Sequence, residues 1–251
     1  MSSLPKQGFL LEFALDREKV PTPDEYPYNL QAFTDLERLK LHPQVTFFIG
    51  ENGSGKSTLL ETIAQLLDID PEGGNKNTYY SDIDTNSAMF KCMRIVRSSR
   101  RPLDHYFLRA ESFYKLASYI DGPGMGDVLW TYGGRRIHEQ SHGEGFMATL
   151  TNKLRGGGIY LFDEPEAALS PSRQLAALAV FRKLVDLESQ LIIATHSPIL
   201  MAFPDALIYE FSEEGIRETS YKETEHYTIT KEFLNRPEKM LAYLFEEEDG
   251  D

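Results

Sequence analysis

The feature that most constrains this chain is residues 50–58, which read GENGSGKST. They fit the pattern Gly-x-x-x-x-Gly-Lys-Ser/Thr, in which a glycine-rich loop turns its backbone N–H groups toward a phosphate. An apolar β-type run at residues 45–49 precedes the loop, and apolar residues at helical spacing follow it over residues 59–67. A strand, a phosphate loop and a helix in this order predict an α/β nucleotide-binding fold, because the helix N-terminus adds a positive dipole end.

The residue types within the loop predict how it holds a nucleotide. Lys56 is expected to reach the β- and γ-phosphates, where its charge also serves catalysis, and Ser57 is expected to ligate Mg²⁺. The predicted nucleotide-binding residues of the loop are Gly50, Glu51, Asn52, Gly53, Ser54, Gly55, Lys56, Ser57 and Thr58.

A second group of residues is predicted to lie beside the loop. Asp163 and Glu164 end the apolar run that begins at residue 159, and His196 ends the apolar run of residues 191–195. Ligands of open α/β sheets lie at the carboxyl ends of such strands. We therefore expect Asp163 to reach Mg²⁺ directly or through water, Glu164 to polarise an attacking water, and His196 to bond the γ-phosphate.

A third element, QSHGE at residues 140–144, precedes a predicted helix. The Ser141 hydroxyl, the Gly143 N–H and the helix dipole suit a phosphate, and Glu144 completes this nucleotide-binding set. A helix start this far along the chain cannot easily reach the γ-phosphate held by its own molecule. It is expected to reach the γ-phosphate held by a partner subunit.

The same region carries a competing motif. Residues 138–142 read HEQSH and match His-Glu-x-x-His, in which two histidines on one helical face bind zinc and the glutamate acts as a base. A zinc metalloprotease using His138, Glu139 and His142 is therefore a remote alternative. The flanking glycines argue against it, because the motif needs all five residues inside one helix.

Composition excludes several classes of protein. Hydrophobic residues make up 41% of the chain and charged residues 26%, which is typical of a globular protein. No apolar run is long enough to span a membrane, so we expect no membrane insertion. The single cysteine, Cys92, cannot form an internal disulfide, which predicts a cytoplasmic location.

Basic residues cluster in the middle of the chain. A helix is predicted over residues 87–98. It carries Lys91, Arg94 and Arg97 at a spacing of three, and Arg100 and Arg101 lie just beyond it. Such a stripe contacts nucleic acid, nucleotide phosphate or an acidic partner, or it is a solvated helix face, and we favour the solvated face. DNA stays a candidate partner that the net charge of −13 does not support.

The order of these elements resembles the ATP-binding-cassette (ABC) ATPase superfamily. Residues 141–144 look like its signature (Leu-Ser-Gly-Gly-Gln and variants), with His142 where a glycine is usual. Residues 167–170 match the position of its D-loop. The run DEPE at residues 163–166 looks more like the soluble branch of small stand-alone ATPases, similar to SMC, RecF and OLD-type heads, than like a transporter subunit.

The resemblance implies a single ABC-type domain over residues 1–251, a P-loop fold with a mixed β core and a small helical lobe. The core would comprise residues 1–77 and 156–251, and the lobe about residues 78–155. ATP and Mg²⁺ are the implied ligands, and two subunits would sandwich two ATP molecules head to tail as a homodimer. Glu111 holds the position of the Q-loop glutamine and is a further expected metal contact.

The predicted function is therefore ATP hydrolysis outside transport, in a DNA-related or defence process. A nucleotide-gated adaptor with a protein partner, or the ATPase subunit of a transporter, are the alternatives. About 80 residues separate Ser57 from Ser141, which is too few for the long coiled-coil arm of an SMC protein.

Overall fold

A computed structural model of the protein describes residues 7–75, 88–122 and 126–245. Its strands are β1 (Leu10–Leu15), β2 (Arg38–Lys40), β3 (Val45–Gly50), β4 (Met93–Arg97), β5 (His105–Arg109), β6 (Ile159–Asp163), β7 (Gln190–Ala194), β8 (Leu207–Ser212) and β9 (Gly215–Thr219). Its α-helices are α1 (Gln31–Thr34), α2 (Lys56–Leu66), α3 (Phe113–Ile120), α4 (Gly126–Leu129), α5 (His142–Ala148), α6 (Pro171–Asp186), α7 (Glu225–Asn235) and α8 (Pro237–Phe245). Short 3-10 helices lie at Arg17–Lys19, Ala88–Lys91, Trp130–Tyr132, Ile137–Glu139, Pro165–Ala168, Leu200–Ala202 and Tyr221–Glu223, and a π-helical turn, Thr149–Lys153, extends α5.

The strands form two sheets. The larger has the order β5-β6-β7-β3-β8-β9, in which the first five strands are parallel and β9 returns antiparallel to β8 as a hairpin. The smaller is antiparallel, in the order β2-β1-β4. The predicted α/β fold with a mixed β core is confirmed.

Alternating side chains on the central strands supply two apolar cores, one on each face of the larger sheet. From β3, Phe47 and Ile49 pack with α3, α5 and α6, whereas Phe48 packs with α2 and β1. Both faces are therefore buried, which is why these strands read as continuous apolar runs in the sequence.

The parallel register brings the strand ends that carry polar residues to one edge of the sheet. Arg109 at the end of β5 is level with Asp163 on β6, and Asp163 is level with Ala194 on β7. Ala194 is in turn level with Phe48 on β3, so the phosphate loop begins at the same edge.

The predicted helix over residues 87–98 is wrong. Residue 87 lies outside the described residues, residues 88–91 form a 3-10 turn, and Met93–Arg97 is the strand β4, paired with β1. Met93 is buried and Arg94 is exposed, and Ile95 lies opposite Phe13 of β1. The alternating burial of these side chains and the β-branched pair at residues 95 and 96 favour a strand. Together they outweigh the helical spacing of the basic residues.

The basic stripe therefore does not exist as one surface, because residues three apart on a strand point to opposite faces. The arginines instead have separate partners. Arg94 pairs with Asp16 at 3.6 Å, Arg97 donates to a backbone carbonyl at 2.9 Å, and Arg100 pairs with Glu188 at 2.8 Å.

Part of the predicted helical lobe also belongs to the sheets. Within residues 78–155, β4 joins the smaller sheet and β5 the larger one, so helices dominate only from Phe113–Ile120 onward. Residues 76–87 and 123–125 lie outside the described residues, as do 1–6 and 246–251. The division of the chain into two lobes stays a prediction.

A buried amide connects the two sheets. The Gln190 side chain at the start of β7 is fully buried, and its Oε1 accepts from the backbone N–H groups of Phe9 and Leu10 at 2.9 and 2.8 Å. Its Nε2 donates to the carbonyl oxygens of Leu10 and His42 at 2.8 and 2.9 Å. Four backbone groups therefore depend on this one side chain.

We expect Gln190→Leu to lower the free energy of unfolding by on the order of 3 kcal/mol, because it leaves buried backbone donors and acceptors unpaired. Urea unfolding followed by circular dichroism measures the change. Gln31→Leu, at an exposed position of α1, is the matched control and should change stability by less than about 0.5 kcal/mol. Equal stability of both variants would contradict this assignment.

Candidate nucleotide-binding site

The phosphate loop lies between β3 and α2, as predicted. Gly50, Gly53 and Gly55 have φ angles of 132°, 80° and 103°, a region that favours glycine. A Cβ at Gly50 would collide with the Phe211 carbonyl oxygen, so this position requires glycine for space as well. The Lys56 Nζ donates to the carbonyl oxygens of Gly50 and Glu51 at 2.8 and 2.7 Å, which closes the loop into a ring.

Ser57 and Asp163 meet at the edge of the sheet. The Ser57 Oγ donates to Asp163 Oδ1 at 3.0 Å, across 106 residues of sequence. Burial raises the pKa of Asp163 to about 6, against the opposing effects of Arg109 and of the Ser57 hydrogen bond. The two side chains predicted to share Mg²⁺ are thus in contact.

Arg109 is a site residue that the sequence reasoning missed. Its Nε lies 3.3 Å from Asp163 Oδ2, its Nη1 lies 2.6 Å from Glu61 Oε1, and its Nη2 lies 3.3 Å from Glu111 Oε2. The guanidinium is therefore shared by three carboxylates. A charged residue at the end of β5, the strand beside β6, was the signal that could have identified it.

Glu164 and His196 face each other at the ends of β6 and β7. Glu164 has φ 47° and ψ 50°, an unusual conformation for a non-glycine residue, and its N–H donates to the Ala194 carbonyl at 3.0 Å. The His196 Nε2 lies 3.6 Å from Glu164 Oε1. A backbone held in a sparsely populated conformation at such a position is typical of functional sites.

Glu166 is a second residue that the sequence reasoning missed at this edge of the larger sheet. Its carboxylate accepts from Thr195 Oγ1 at 2.7 Å and from the His196 backbone N–H at 2.5 Å. It thereby fixes the loop after β6 to the loop after β7. The second glutamate of the DEPE run was the available signal.

Two cavities border the phosphate loop and the residues beside it. The first, of about 330 Å³, is bordered by Ser57, Arg109, Glu111, His142, Asp163 and Glu164. The second, of about 810 Å³, is bordered by residues 50–54 and by side chains that include Leu30, Phe211 and His226. Both volumes are within the usual range of small-molecule sites. The 83%-exposed Glu111 side chain lies on the wall of the first cavity, near the predicted metal ligands.

The arrangement fits a nucleotide and its metal. A Cβ at Gly53 would meet no atom within 4 Å, so the loop backbone is open to a close ligand. The Ser54 Oγ is buried and has no hydrogen-bond partner among the residues described. Ser57 and Asp163 offer hard oxygen ligands, which suit Mg²⁺.

The signature-like segment begins α5. Ser141 is its N-cap, and Glu144 closes a capping box by accepting from the Ser141 N–H at 2.9 Å and the Ser141 Oγ at 2.7 Å. A Cβ at Gly143 would lie 2.8 Å from the Ala168 carbonyl, so this glycine packs against the D-loop-like segment. His142 alone of these residues borders the first cavity.

The zinc alternative is wrong. His138 belongs to the 3-10 helix and His142 to α5, and Gln140 between them is extended with φ −108° and ψ 155°. His138 Nε2 is hydrogen-bonded to Ser118 Oγ at 2.9 Å, and His142 packs edge-on against Phe113. Across the described ranges, no group of three or more His, Cys, Asp or Glu side chains is placed to hold a metal.

Comparisons with known proteins agree with this geometry. The AAA_23 family, an AAA domain, matches residues 28–101. The chain is 27% identical to the L-cystine transport system ATP-binding protein TcyN of Escherichia coli (strain K12), over 61% of this chain and 69% of that protein. It is 26% identical to the phosphate import ATP-binding protein PstB of Pseudoalteromonas translucida (strain TAC 125), over 69% of this chain and 71% of that one.

A solved structure shares the fold. It is cbiO1 of Clostridium perfringens, part of the ABC transporter complex cbiONQ, with 17% identity and a TM-score of 0.51 over 95% of this chain and 100% of that chain. These matches, together with the fold, support the ABC-type ATPase superfamily. In this chain, Ser57 at the end of the phosphate loop contacts the strand end at Asp163, while the signature-like helix start lies on a separate element.

None of the helices described in this chain combines the length and apolar character that crossing a membrane would require.

Because Arg109 pairs with the buried carboxylate of Asp163, we expect Arg109→Gln to lower the free energy of unfolding by about 2 kcal/mol, discounted for the 16% exposure of the guanidinium. Denaturant titration at low and moderate salt measures it. Arg236→Gln breaks the exposed pair with Glu232 and should cost less than about 0.5 kcal/mol. A stability loss no greater for Arg109 than for Arg236 would show that the guanidinium is dispensable.

Proposed function

We propose that the protein binds ATP with Mg²⁺ and hydrolyses it to ADP and phosphate as an ATP-dependent, head-to-tail homodimer. The observation that carries the proposal is the hydrogen bond from Ser57 Oγ to Asp163 Oδ1, with Glu164 next in the chain. The names of two relatives, both ATP-binding proteins, support the choice of nucleotide.

In the proposed mechanism, the loop backbone N–H groups and Lys56 bind the phosphates. Ser57 and Asp163 would hold Mg²⁺, with Glu111 as a further contact from the cavity wall. The metal neutralises charge on the β- and γ-phosphates when it is bound. Burial lowers the pKa of Lys56, whereas the carboxylates of Glu164 and Asp163 oppose that shift.

Glu164 is the proposed general base and His196 the proposed phosphate-sensing residue. The Glu164 side chain is 42% exposed toward solvent and adjoins the first cavity, where it can take a hydrogen bond from an attacking water. Its distance from the His196 imidazole, 3.6 Å, places both groups at one end of the site. One polarises the water, and the other donates to the phosphate that leaves.

The second half of each site would come from the other subunit. We assign Ser141, Gly143 and Glu144 to the γ-phosphate of the partner, as the signature resemblance implies. In the single chain, Glu144 accepts both the N–H and the hydroxyl of Ser141, and Arg173 lies 3.5 Å from Glu144. A phosphate presented by the partner would compete with Glu144 for the Ser141 donors.

We place the protein in the cytoplasm, outside transport, with a protein partner or DNA as its target. Cys92 is a buried free thiol, as expected in a reducing compartment. The ATPase subunit of a transport system is the second candidate, which the names of the two transport-related relatives favour. Stimulation of ATP hydrolysis by double-stranded DNA would support DNA as the target, whereas an unchanged rate would leave a protein partner or the transport system.

We expect Glu164→Gln to bind ATP normally, to hydrolyse it on the order of 100-fold more slowly, and to accumulate as an ATP-bound dimer, because the amide cannot accept the proton of water. Calorimetry, phosphate release and sedimentation velocity with Mg²⁺ measure these three properties. Lys56→Ala is the control and should lose nucleotide binding. Hydrolysis by Glu164→Gln at the wild-type rate would rule out this base, and a monomer at saturating ATP would rule out the sandwich.

A further inference from the structure

His226, in the first turn of α7, lies directly against His196. The His196 Nδ1 and the His226 Nε2 are 3.3 Å apart, and the two ring centroids are separated by 5.4 Å. Thirty residues and the hairpin β8–β9 separate the two histidines in the sequence, so no local pattern predicts the contact. Both rings border a cavity that Glu51, Glu164 and Glu166 also line.

Each ring also has an outer nitrogen, on the side away from the contact between the two rings. The His196 Nε2 and the His226 Nδ1 are both buried, and neither has a hydrogen-bond partner within the described part of the chain. The Glu164 Oε1, at 3.6 Å from His196 Nε2, is beyond hydrogen-bond distance. The pair is therefore joined at its inner nitrogens, and its outer nitrogen on His196 faces the proposed base.

Hydrogen bonds connect the segments that carry the two histidines. The His196 N–H donates to Glu166, and the Tyr221 hydroxyl donates to the Pro198 carbonyl at 2.9 Å, which ties the segment before α7 to the loop after β7. Thr224 then caps α7 by accepting from the Tyr227 N–H at 3.2 Å. These contacts hold the start of α7 beside the loop after β7, where the two rings meet.

Both imidazoles are expected to be neutral near neutral pH. Burial lowers the pKa of His196 and of His226, and the charge of Lys56 lowers both further. Two neutral imidazoles can share only one hydrogen at their inner nitrogens. Either His196 Nδ1–H donates to His226, or His226 Nε2–H donates to His196.

The two arrangements differ at the outer nitrogen. If His196 donates from Nδ1, its Nε2 carries a lone pair and repels a phosphate oxygen. If His226 donates from Nε2, the hydrogen of His196 is on Nε2, from which His196 can donate a hydrogen bond to a phosphate or to Glu164. The identity of the inner donor thus decides whether His196 can sense a phosphate at all.

We propose that His226 is a positioning residue that donates from Nε2 and so holds His196 in the tautomer with its hydrogen on Nε2. This inference rests on the proposed function, in which His196 donates to the γ-phosphate. It also makes α7 part of the site, because a shift of this helix would release the tautomer of His196.

Nitrogen-15 NMR of histidine-labelled protein, recorded without nucleotide, reports the tautomer of each ring directly. We expect His196 to be protonated at Nε2 in the wild type and to sample both tautomers in His226→Ala. We also expect kcat of His226→Ala to fall on the order of tenfold, with KM changed less than about twofold, as for loss of a group that orients a histidine. His226→Gln, whose side-chain amide can donate from the Nε2 position, should restore most of kcat.

Glu232→Gln, on the exposed side of α7, is the matched control and should resemble the wild type. Protonation of His196 at Nδ1 in the wild type, unchanged His196 resonances in His226→Ala, or altered resonances with an unchanged kcat would each overturn the proposal. A wild-type protein that does not hydrolyse ATP would refute the proposed function instead, while the spectra would still decide the state of the pair.

Discussion

The hydrogen bond from Ser57 to Asp163 is the contact on which the site depends. It joins the start of α2 to the end of β6, two strands away from β3 in the sheet, and its length is 3.0 Å. It forms because parallel strands end at one edge, and because the phosphate loop directs the first turn of α2 toward that edge. The phosphate loop, Asp163 and His196 lie together because one strand register brings their strand ends to the same edge.

The same edge concentrates negative charge, and the fold contains devices that offset it. Arg109 is shared among Glu61, Glu111 and Asp163, while Lys56 lies within the field of Glu164 and Asp163. Burial raises the pKa of Asp163 and of Glu61, and without such partners these two carboxylates would hold protons more readily. The basic residues at this edge therefore stabilise the fold and preserve the charge that the proposed chemistry uses.

Much of this could be predicted where the signal is local. The phosphate loop and the position of Asp163 at a strand end follow from contiguous motifs, because neighbouring residues determine a loop conformation and a strand end. Arg109 and His226 could not be predicted in this way, since their roles arise from strand pairing and from a loop–loop contact. The helix over residues 87–98 failed because helical spacing of charges carries less free energy than burial of Met93 against β1.

The central claim is that each site combines the phosphate loop of one subunit with the helix start of another. The direct test mixes Lys56→Ala with Ser141→Asp, which keeps an N-cap but repels phosphate. Each variant alone should be inactive, and the mixture should regain ATP hydrolysis, because mixed dimers contain one intact composite site. A mixture that stays inactive, or a Ser141→Asp protein that hydrolyses ATP at the wild-type rate by itself, would contradict the account.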